Sequence, residues 1–189
     1  IRGVIITHGH YDHIGAIPHL LEPLGHPVIY TTALTRGMIL KRQEDFKKFG
    51  RPKVETINEN SKLKLGAFEV EFFHVNHNIP DSVGVVLKTP VGTVVHTGDW
   101  KFDHEPVNEK PADIGRLKEL GASGVLLLVS DSTNSQDPGR TISESEIQKN
   151  LEEIFKKADG RIIAATFSSL LTRIQQMIWL SEHYGRKVL

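Results

Sequence analysis

Three histidines and an aspartate fall within six positions of the stretch THGHYDHIG, residues 7–15. In an extended segment, side chains at positions i and i+2 point the same way, so His8 and His10 can bind one metal ion from one side. Asp12 and His13 come from the turn that follows and can serve a second ion. Two ions about 3.5–4 Å apart are the usual arrangement for in-line displacement at phosphorus. The loop therefore predicts half of a dinuclear metal site.

Two further ligands are predicted where strands end. His77 lies in HNIPDS directly after one predicted strand, and Asp99 lies in HTGDW directly after another. Gly98 frees the backbone to turn there, and a carboxylate at Asp99 can bridge two ions and help to hold a hydroxide between them. The alternatives are a loop histidine without ligand function at position 77 and an ordinary turn aspartate at position 99. Because the chain has no cysteine, any metal must be held by His, Asp and Glu.

The other histidines give weaker signals. His74 and His96 lie within predicted strands, where we expect packing roles or hydrogen bonds to the ligands. Four more are interpreted as surface or core residues without ligand function: His19, His26, His104 and His183.

Helices and strands alternate around these residues. Residues 2–7 read as a buried strand that enters the histidine loop, and apolar residues between 14 and 24 follow helical spacing. HPVIYTT predicts a short strand, and residues 33–49 predict a helix that ends at a glycine. Between residues 67 and 96 the pattern has period two, which predicts antiparallel strands with a hairpin turn at TPVG.

The second half of the chain changes its rhythm near residue 160. DIGRLKELG predicts a helix that stops at Gly121, GVLLLVSD predicts a buried strand, and SESE at 143–146 predicts a capping box that opens a helix. From residue 161 the order is strand (RIIAAT), helix (about 169–184) and strand (KVL), which predicts a βαβ unit with a parallel sheet. We therefore predict one domain over 1–160 and the start of a second over 161–189.

Composition sets limits on function. The chain has 189 residues, 39% of them apolar, which is typical of an α/β globular protein, and no apolar run approaches the ~20 residues that span a bilayer. Lys plus Arg and Asp plus Glu both number 23, so there is no overall charge to attract nucleic acid. No signal peptide is visible, so a cytoplasmic location is the default expectation.

The run KRQEDFKKFGRPK at 41–53 is a local exception, with six basic side chains against two acidic ones. It is interpreted either as a contact for an RNA backbone or as a solvated helix face.

Several blocks of the sequence resemble one protein family. HGHYDH, the histidine in NHNIPDS, and HTGDWKFD together resemble the metallo-β-lactamase superfamily. Within it, THGHYDHIGAIPHLL, SDSTN followed by PGRTISE, and IAATFSSLLTRIQQ are similar to ribonuclease J and its relatives with a β-CASP insert. The resemblance implies an α/β fold, the four-layer αβ/βα metallo-β-lactamase sandwich, which is partial here, with the start of a β-CASP domain at the C-terminus. It also implies that the chain is a fragment.

The resemblance implies two Zn²⁺ ions as cofactors, with Mn²⁺ as an alternative, and a role for each candidate ligand. The implied ligands are His8, His10 and His77 on one ion, Asp12 and His13 on the other, and Asp99 bridging. Asp12 and Asp99 are the expected catalytic residues, with Asp12 also accepting a proton from the nucleophile. The family's last histidine ligand and its main phosphate-binding motif are expected beyond residue 189, which leaves the second site incomplete.

Other polar residues are implied to support the ligands. Asp131 in SDSTN corresponds to an acidic motif that orients groups at the metal site, although a carboxylate that ends a strand and starts a turn is the alternative. Asp81 and Ser82 are expected to shape the loop of the ligand histidine. Ser168 and Ser169 of ATFSS are expected to open the helix of the insert, and a plain N-cap explains one of them equally well.

The implied function is hydrolysis of RNA phosphodiesters through a hydroxide held between two zinc ions. The expected substrate is single-stranded RNA with a 5′-monophosphate, degraded from its 5′ end and also cut internally. The expected protein is a homo-oligomer, a dimer or tetramer, that acts in the cytoplasm without a membrane.

Two other functions stay open. The first is another hydrolase of the superfamily, which acts on a β-lactam or a thioester, and the SDSTN and ATFSS blocks argue against it. The second is a non-catalytic member that binds RNA or serves as a scaffold. Such a protein would have lost ligands, whereas all six are present here.

Overall fold

A computed structural model describes residues 1–189, which form two β-sheets with helices packed on them. The first sheet is parallel and consists of β1 (Val4–Ile5), β2 (Ile29–Thr31) and β3 (Val54–Thr56). The second sheet consists of β4 (Lys62–Leu65), β5 (Phe68–His74), β6 (Val83–Thr89), β7 (Gly92–His96) and β8 (Leu127–Val129). Its first four strands are antiparallel, which confirms the prediction for β5, β6 and β7, and β8 pairs in parallel with β7.

Six α-helices accompany the sheets. They are α1 (Tyr11–Ile14), α2 (Ile17–Leu20), α3 (Ala33–Gln43), α4 (Ile114–Ser123), α5 (Glu144–Lys157) and α6 (Leu171–His183). A 3₁₀ segment, Glu44–Phe49, continues α3 up to Gly50. The predicted helix over 33–49 is therefore confirmed, with a tighter last part. The apolar residues between 14 and 24 do not form one helix: Ile14 ends α1, Ile17 and Leu20 lie in α2, and Leu21 and Leu24 lie in the turn that follows.

The packing of apolar residues gives the order of the layers. Ile14, Ile17 and Ile39 of the first helices pack on Ile29 of the first sheet. The two sheets then face each other through a second apolar cluster that includes Val70 of β5. Neighbouring residues on a strand point to opposite faces, so Phe72 belongs to this cluster whereas Phe73 packs on the far side of the second sheet, against Leu120 of α4. The result is the predicted four-layer sandwich of helices, sheet, sheet and helix.

The strand predicted as buried at GVLLLVSD is exposed. β8 forms the edge of the second sheet, and Leu127 and Leu128 are 52% and 60% exposed. Because consecutive residues point to opposite faces, neither face of this edge is covered. A run of apolar residues predicts burial but does not identify what covers the strand, and the prediction was wrong for that reason.

One helix boundary and two strands also differ from prediction. α4 runs past Gly121 and ends before Gly124, whose φ of +87° takes the backbone out of the helical conformation and favours glycine. α5 begins as predicted, because the Ser143 hydroxyl oxygen accepts a hydrogen bond from the Glu146 backbone N–H, and it ends at Lys157. RIIAAT and KVL pair with no strand, so the predicted βαβ unit contains only its helix, α6. The domain boundary near residue 160 stays a prediction.

Candidate metal centre

The histidine loop, residues 7–15, leaves β1 and enters α1, with His10 at the helix N-cap. His8 is completely buried, and its Nδ1 lies 3.0 Å from the hydroxyl oxygen of Thr7. When the Nδ1 hydrogen is donated to that oxygen, the lone pair of Nε2 points at the neighbouring histidines. This is how proteins usually orient an imidazole that binds a metal.

Three imidazole nitrogens converge at one point. His10 Nδ1 lies 3.2 Å from His8 Nε2 and 3.1 Å from His77 Nε2. Asp99 Oδ2 lies 3.9 Å from His8 Nε2 and 3.8 Å from His77 Nε2. In a tetrahedral site with zinc–nitrogen distances of about 2.0–2.1 Å, ligand atoms are separated by roughly 3.3 Å. The spacing and chemistry of these four donors therefore fit a divalent ion such as zinc.

A second group shares Asp99 with the first. His13 Nε2 lies 3.4 Å from Asp99 Oδ2 and 3.5 Å from Asp12 Oδ2. In each group the ligand atoms all lie within 4.8 Å of one another. The structure thus brings together all six predicted ligands, which we call the metal cluster, and arranges them in two groups with Asp99 in common.

The electrostatics of the cluster keep its inner histidines neutral. Burial, together with the neighbouring imidazoles, lowers the pKa of His8 to about 3 and that of His77 to about 4. Burial also lowers the pKa of His10. All three side chains are therefore unprotonated near pH 7, which is the form that binds a metal ion.

A turn with a left-handed glycine carries Asp99. Gly98 has a φ of +63°, and its backbone N–H donates to His96 Nδ1 at 2.8 Å. On the other side of the aspartate, the backbone N–H of Trp100 donates to Asp131 Oδ2 at 3.4 Å. His96 thus supports the turn and contacts no ligand. Asp131 lies where it can hold the Asp99 segment, and its orienting role stays a prediction.

The loop of His77 is shaped by the two residues expected there. Asp81, at a φ of +66°, accepts a hydrogen bond from the Leu34 backbone N–H at 3.0 Å, which ties the loop to α3. The buried Ser82 hydroxyl donates to the Ile79 carbonyl at 3.0 Å.

The histidines interpreted as structural lie outside the metal cluster. His74 Nε2 lies 2.9 Å from the Lys110 carbonyl oxygen, not beside a ligand. His19 packs against Phe46 and Phe49. The cluster also excludes His26, His104 and His183.

The N-cap interpretation of Ser168 and Ser169 is wrong. The N-cap residue of α6 is Leu170, and no side chain caps this end. The backbone of the preceding turn provides a hydrogen-bond acceptor at this helix end instead, because the Leu171 N–H donates to the Ser169 carbonyl.

Two supporting residues escaped the sequence analysis. Thr7 orients His8, and its position directly before the H-x-H pattern is a usable signal. Arg42 donates from Nε and Nη2 to the Gly15 carbonyl at 3.1 and 2.9 Å, and its guanidinium lies 4.2 Å from the ring centre of Tyr11. Arg42 thus anchors the end of the histidine loop to α3, whereas Lys47 and Lys48 of the same basic run are exposed. Nothing in the sequence distinguishes Arg42 from its basic neighbours.

A cavity of about 770 Å³ opens beside the metal cluster. His10, His77 and Asp99 form one wall of it. The rest of the cavity lining comes from the SDSTN segment and from the beginnings of α5 and α6, and it includes Arg140 and Arg173. A substrate in this cavity would contact the ligands directly.

Comparison with known proteins agrees with this geometry. Residues 1–121 match the family model described as the beta-lactamase superfamily domain. Over its whole length the chain is 42% identical to ribonuclease J of Thermus thermophilus and 43% identical to ribonuclease J of Helicobacter pylori strain J99. The chain spans 34% and 27% of these two relatives.

The fold also has a match among solved structures. A protein of unknown function from Enterococcus faecalis V583 superposes with a TM-score of 0.67 at 20% identity, over 95% of this chain and 44% of that one. No helix in the chain has the length and apolar character that crossing a membrane requires. The chain therefore belongs to the metallo-β-lactamase superfamily and is homologous to ribonuclease J along its entire length.

Proposed function

We propose that the protein containing this chain is a metal-dependent ribonuclease that hydrolyses phosphodiester bonds of single-stranded RNA. The observation that carries the proposal is the convergence of the six ligands in two groups that share Asp99. Whole-length identity of about 40% to ribonuclease J supports RNA as the substrate class. The resemblance further favours a 5′-monophosphorylated substrate, degraded from the 5′ end with some internal cleavage, and a cytoplasmic homo-oligomer.

The residues of the metal cluster would hold two ions. His8, His10, His77 and Asp99 would hold one divalent ion, and Asp12, His13 and Asp99 would hold the other. Zinc suits the imidazole-rich first group, and manganese is the alternative. When bound, such a pair of ions activates water for attack on phosphorus and neutralises charge on the phosphoryl oxygens.

Other side chains of the chain prepare the reaction. The Asp12 side chain is 77% exposed, so its free carboxylate oxygen can accept the proton that the attacking water loses. The buried Thr7–His8 hydrogen bond fixes one ligand before substrate arrives. Arg140, exposed in the cavity and without an ion-pair partner, provides positive charge for the RNA backbone.

The proposal is tested with the whole protein on a 3′-labelled, 5′-monophosphorylated single-stranded RNA, with zinc or manganese present. We expect the wild type to degrade the RNA and Asp99→Asn to lose about 100-fold or more in rate, because even outer partners of metal ligands contribute 10–100-fold. The matched control is Asp113→Asn. Asp113 caps α4 by accepting a hydrogen bond from the Arg116 N–H, a role that asparagine also fills.

The control should degrade RNA like the wild type. If the wild type carries two metal ions per chain and leaves RNA intact, the proposal is wrong. Hydrolysis of a chromogenic cephalosporin or a thioester under the same conditions would then favour another superfamily activity.

A further inference from the structure

The segment after the ligand Asp99 is held by a buried ionic network. Lys101 Nζ lies 3.2 Å from Asp103 Oδ2 and 2.7 Å from Glu144 Oε1. The Asp103 carboxylate also accepts a hydrogen bond from the Glu144 backbone N–H at 2.9 Å. Both neighbours of Phe102 are thus fixed to the beginning of α5, which leaves the backbone at Phe102 little freedom.

Phe102 nevertheless has an exposed ring. Its side chain is 54% exposed, and its ring centre lies 4.4 Å from that of Trp100, at an angle of 54°. Trp100 itself is held in place, because its Nε1–H donates to the Ser130 hydroxyl at 3.3 Å and its ring packs on the core beside α4. A rigidly held aromatic side chain loses little conformational entropy when it binds a ligand.

The two rings share the 770 Å³ cavity with the metal ligands His77 and Asp99. A cavity of this size accommodates a ligand as large as a nucleotide. The same cavity presents the unpaired guanidinium of Arg140. Aromatic faces beside positive charge are the combination with which proteins bind single-stranded nucleic acid.

We infer that Trp100 and Phe102 form a stacking platform beside the metal cluster, on which one nucleobase of the RNA stacks. The identity of the ligand rests on the proposed function, and the position of the platform rests on the geometry of residues 99–103. Because every base has a π face, the platform accepts all four bases and aligns the strand without reading its sequence.

The test is a binding experiment with the whole, metal-loaded protein. The ligands are single-stranded 2′-O-methyl phosphorothioate oligonucleotides, which resist cleavage, with an abasic residue placed at each position in turn. Binding is measured by fluorescence anisotropy for the wild type, for Phe102→Leu, which keeps apolar volume without a π face, and for the matched control Phe102→Tyr. Cleavage of ordinary RNA is measured on the same preparations.

For the wild type and Phe102→Tyr, an abasic residue at one position should weaken binding by about 5- to 150-fold, the range expected for one base–aromatic stack. For Phe102→Leu, that penalty should fall to 2-fold or less, roughly the noise of a coupling measurement. A penalty that is the same in Phe102→Leu and the wild type at every position overturns the platform and assigns the ring to packing against another part of the protein. A further outcome is that the wild type cleaves no RNA while the abasic residue weakens its binding more than that of Phe102→Leu. In that case the proposed function fails and the platform stands.

Discussion

At the scale of single residues, the metal cluster depends on groups that orient ligands as well as on the ligands themselves. His8 has no exposed surface, so its ring direction is determined by what its second nitrogen contacts. That contact is the Thr7 hydroxyl, which lies 3.0 Å away. When Nδ1 donates its hydrogen to this hydroxyl, Nε2 is left free for a metal ion.

Thr7→Val removes this hydroxyl with little change in volume. We expect the affinity for zinc to fall by about 10- to 100-fold, since the imidazole loses the partner that fixes its tautomer. Competition with a chromogenic chelator measures this affinity. Thr35→Val is the matched control, because Thr35 is also buried but bonds to Thr32 and not to a ligand. Equal zinc affinities in the two variants would contradict the orienting role of Thr7.

At the scale of elements, each ligand lies where a strand gives way to a loop. β1 leads to the histidine loop, β5 leads to His77, and β7 leads to Asp99. Gly98 makes the last of these turns with a φ of +63°, and a Cβ at this position would lie 3.1 Å from the Thr7 side chain. The turn thus requires glycine both for its conformation and for close packing against the histidine loop.

Gly98→Ala should therefore be destabilising by about 1–2 kcal/mol, because a left-handed conformation costs an alanine roughly that much. It should also lower the zinc content, since Asp99 belongs to both ligand groups. Urea unfolding and metal analysis measure the two effects.

Gly121→Ala provides the opposite expectation. Gly121 lies inside α4 with no atom within 4 Å of an added Cβ, so alanine should stabilise the protein by about 0.5–1 kcal/mol. Destabilisation by both substitutions to a similar extent would show that the conformation at Gly98 is not special.

The sequence predicts these elements as far as local chemistry determines them. Alternation over 67–96 predicts β5, β6 and β7, and the i, i+2 spacing predicts that His8 and His10 act together. The exposed edge at Leu127 and Leu128 could not be predicted, because burial of a strand depends on a neighbour that is remote in sequence. The same reason explains the unpaired RIIAAT and KVL segments, since a strand exists only with a partner. Arg42 escaped notice because its partner, the Gly15 carbonyl, is backbone.

At the scale of the whole molecule, one partly buried acid adds a pH dependence to the stability of the fold. Glu109 Oε2 has no hydrogen-bond partner and lies 3.9 Å from His74 Nε2. Burial raises the pKa of Glu109 from 4.5 to about 7. Between these two pKa values, Glu109 binds more protons in the folded protein than in the unfolded chain. The contribution of Glu109 to the free energy of unfolding therefore falls as the pH rises from about 4.5 to 7.

Glu109→Gln removes this titration while keeping the shape of the side chain. Relative to the wild type, the variant should become more stable between pH 5 and pH 8, by on the order of 1–2 kcal/mol. The comparison of the two proteins by urea unfolding at both pH values cancels the contributions of all other acids. A difference in free energy of unfolding that stays constant with pH would contradict the raised pKa.

The most direct test of the central claim, that the six ligands hold metal ions required for RNA hydrolysis, is metal removal from the whole protein. EDTA treatment followed by elemental analysis gives metal-free protein, and its RNA cleavage is measured before and after zinc or manganese is added back. We predict that cleavage disappears with the metal and returns with it, while Asp99→Asn is not rescued. Undiminished cleavage by protein verified to be metal-free would contradict the account.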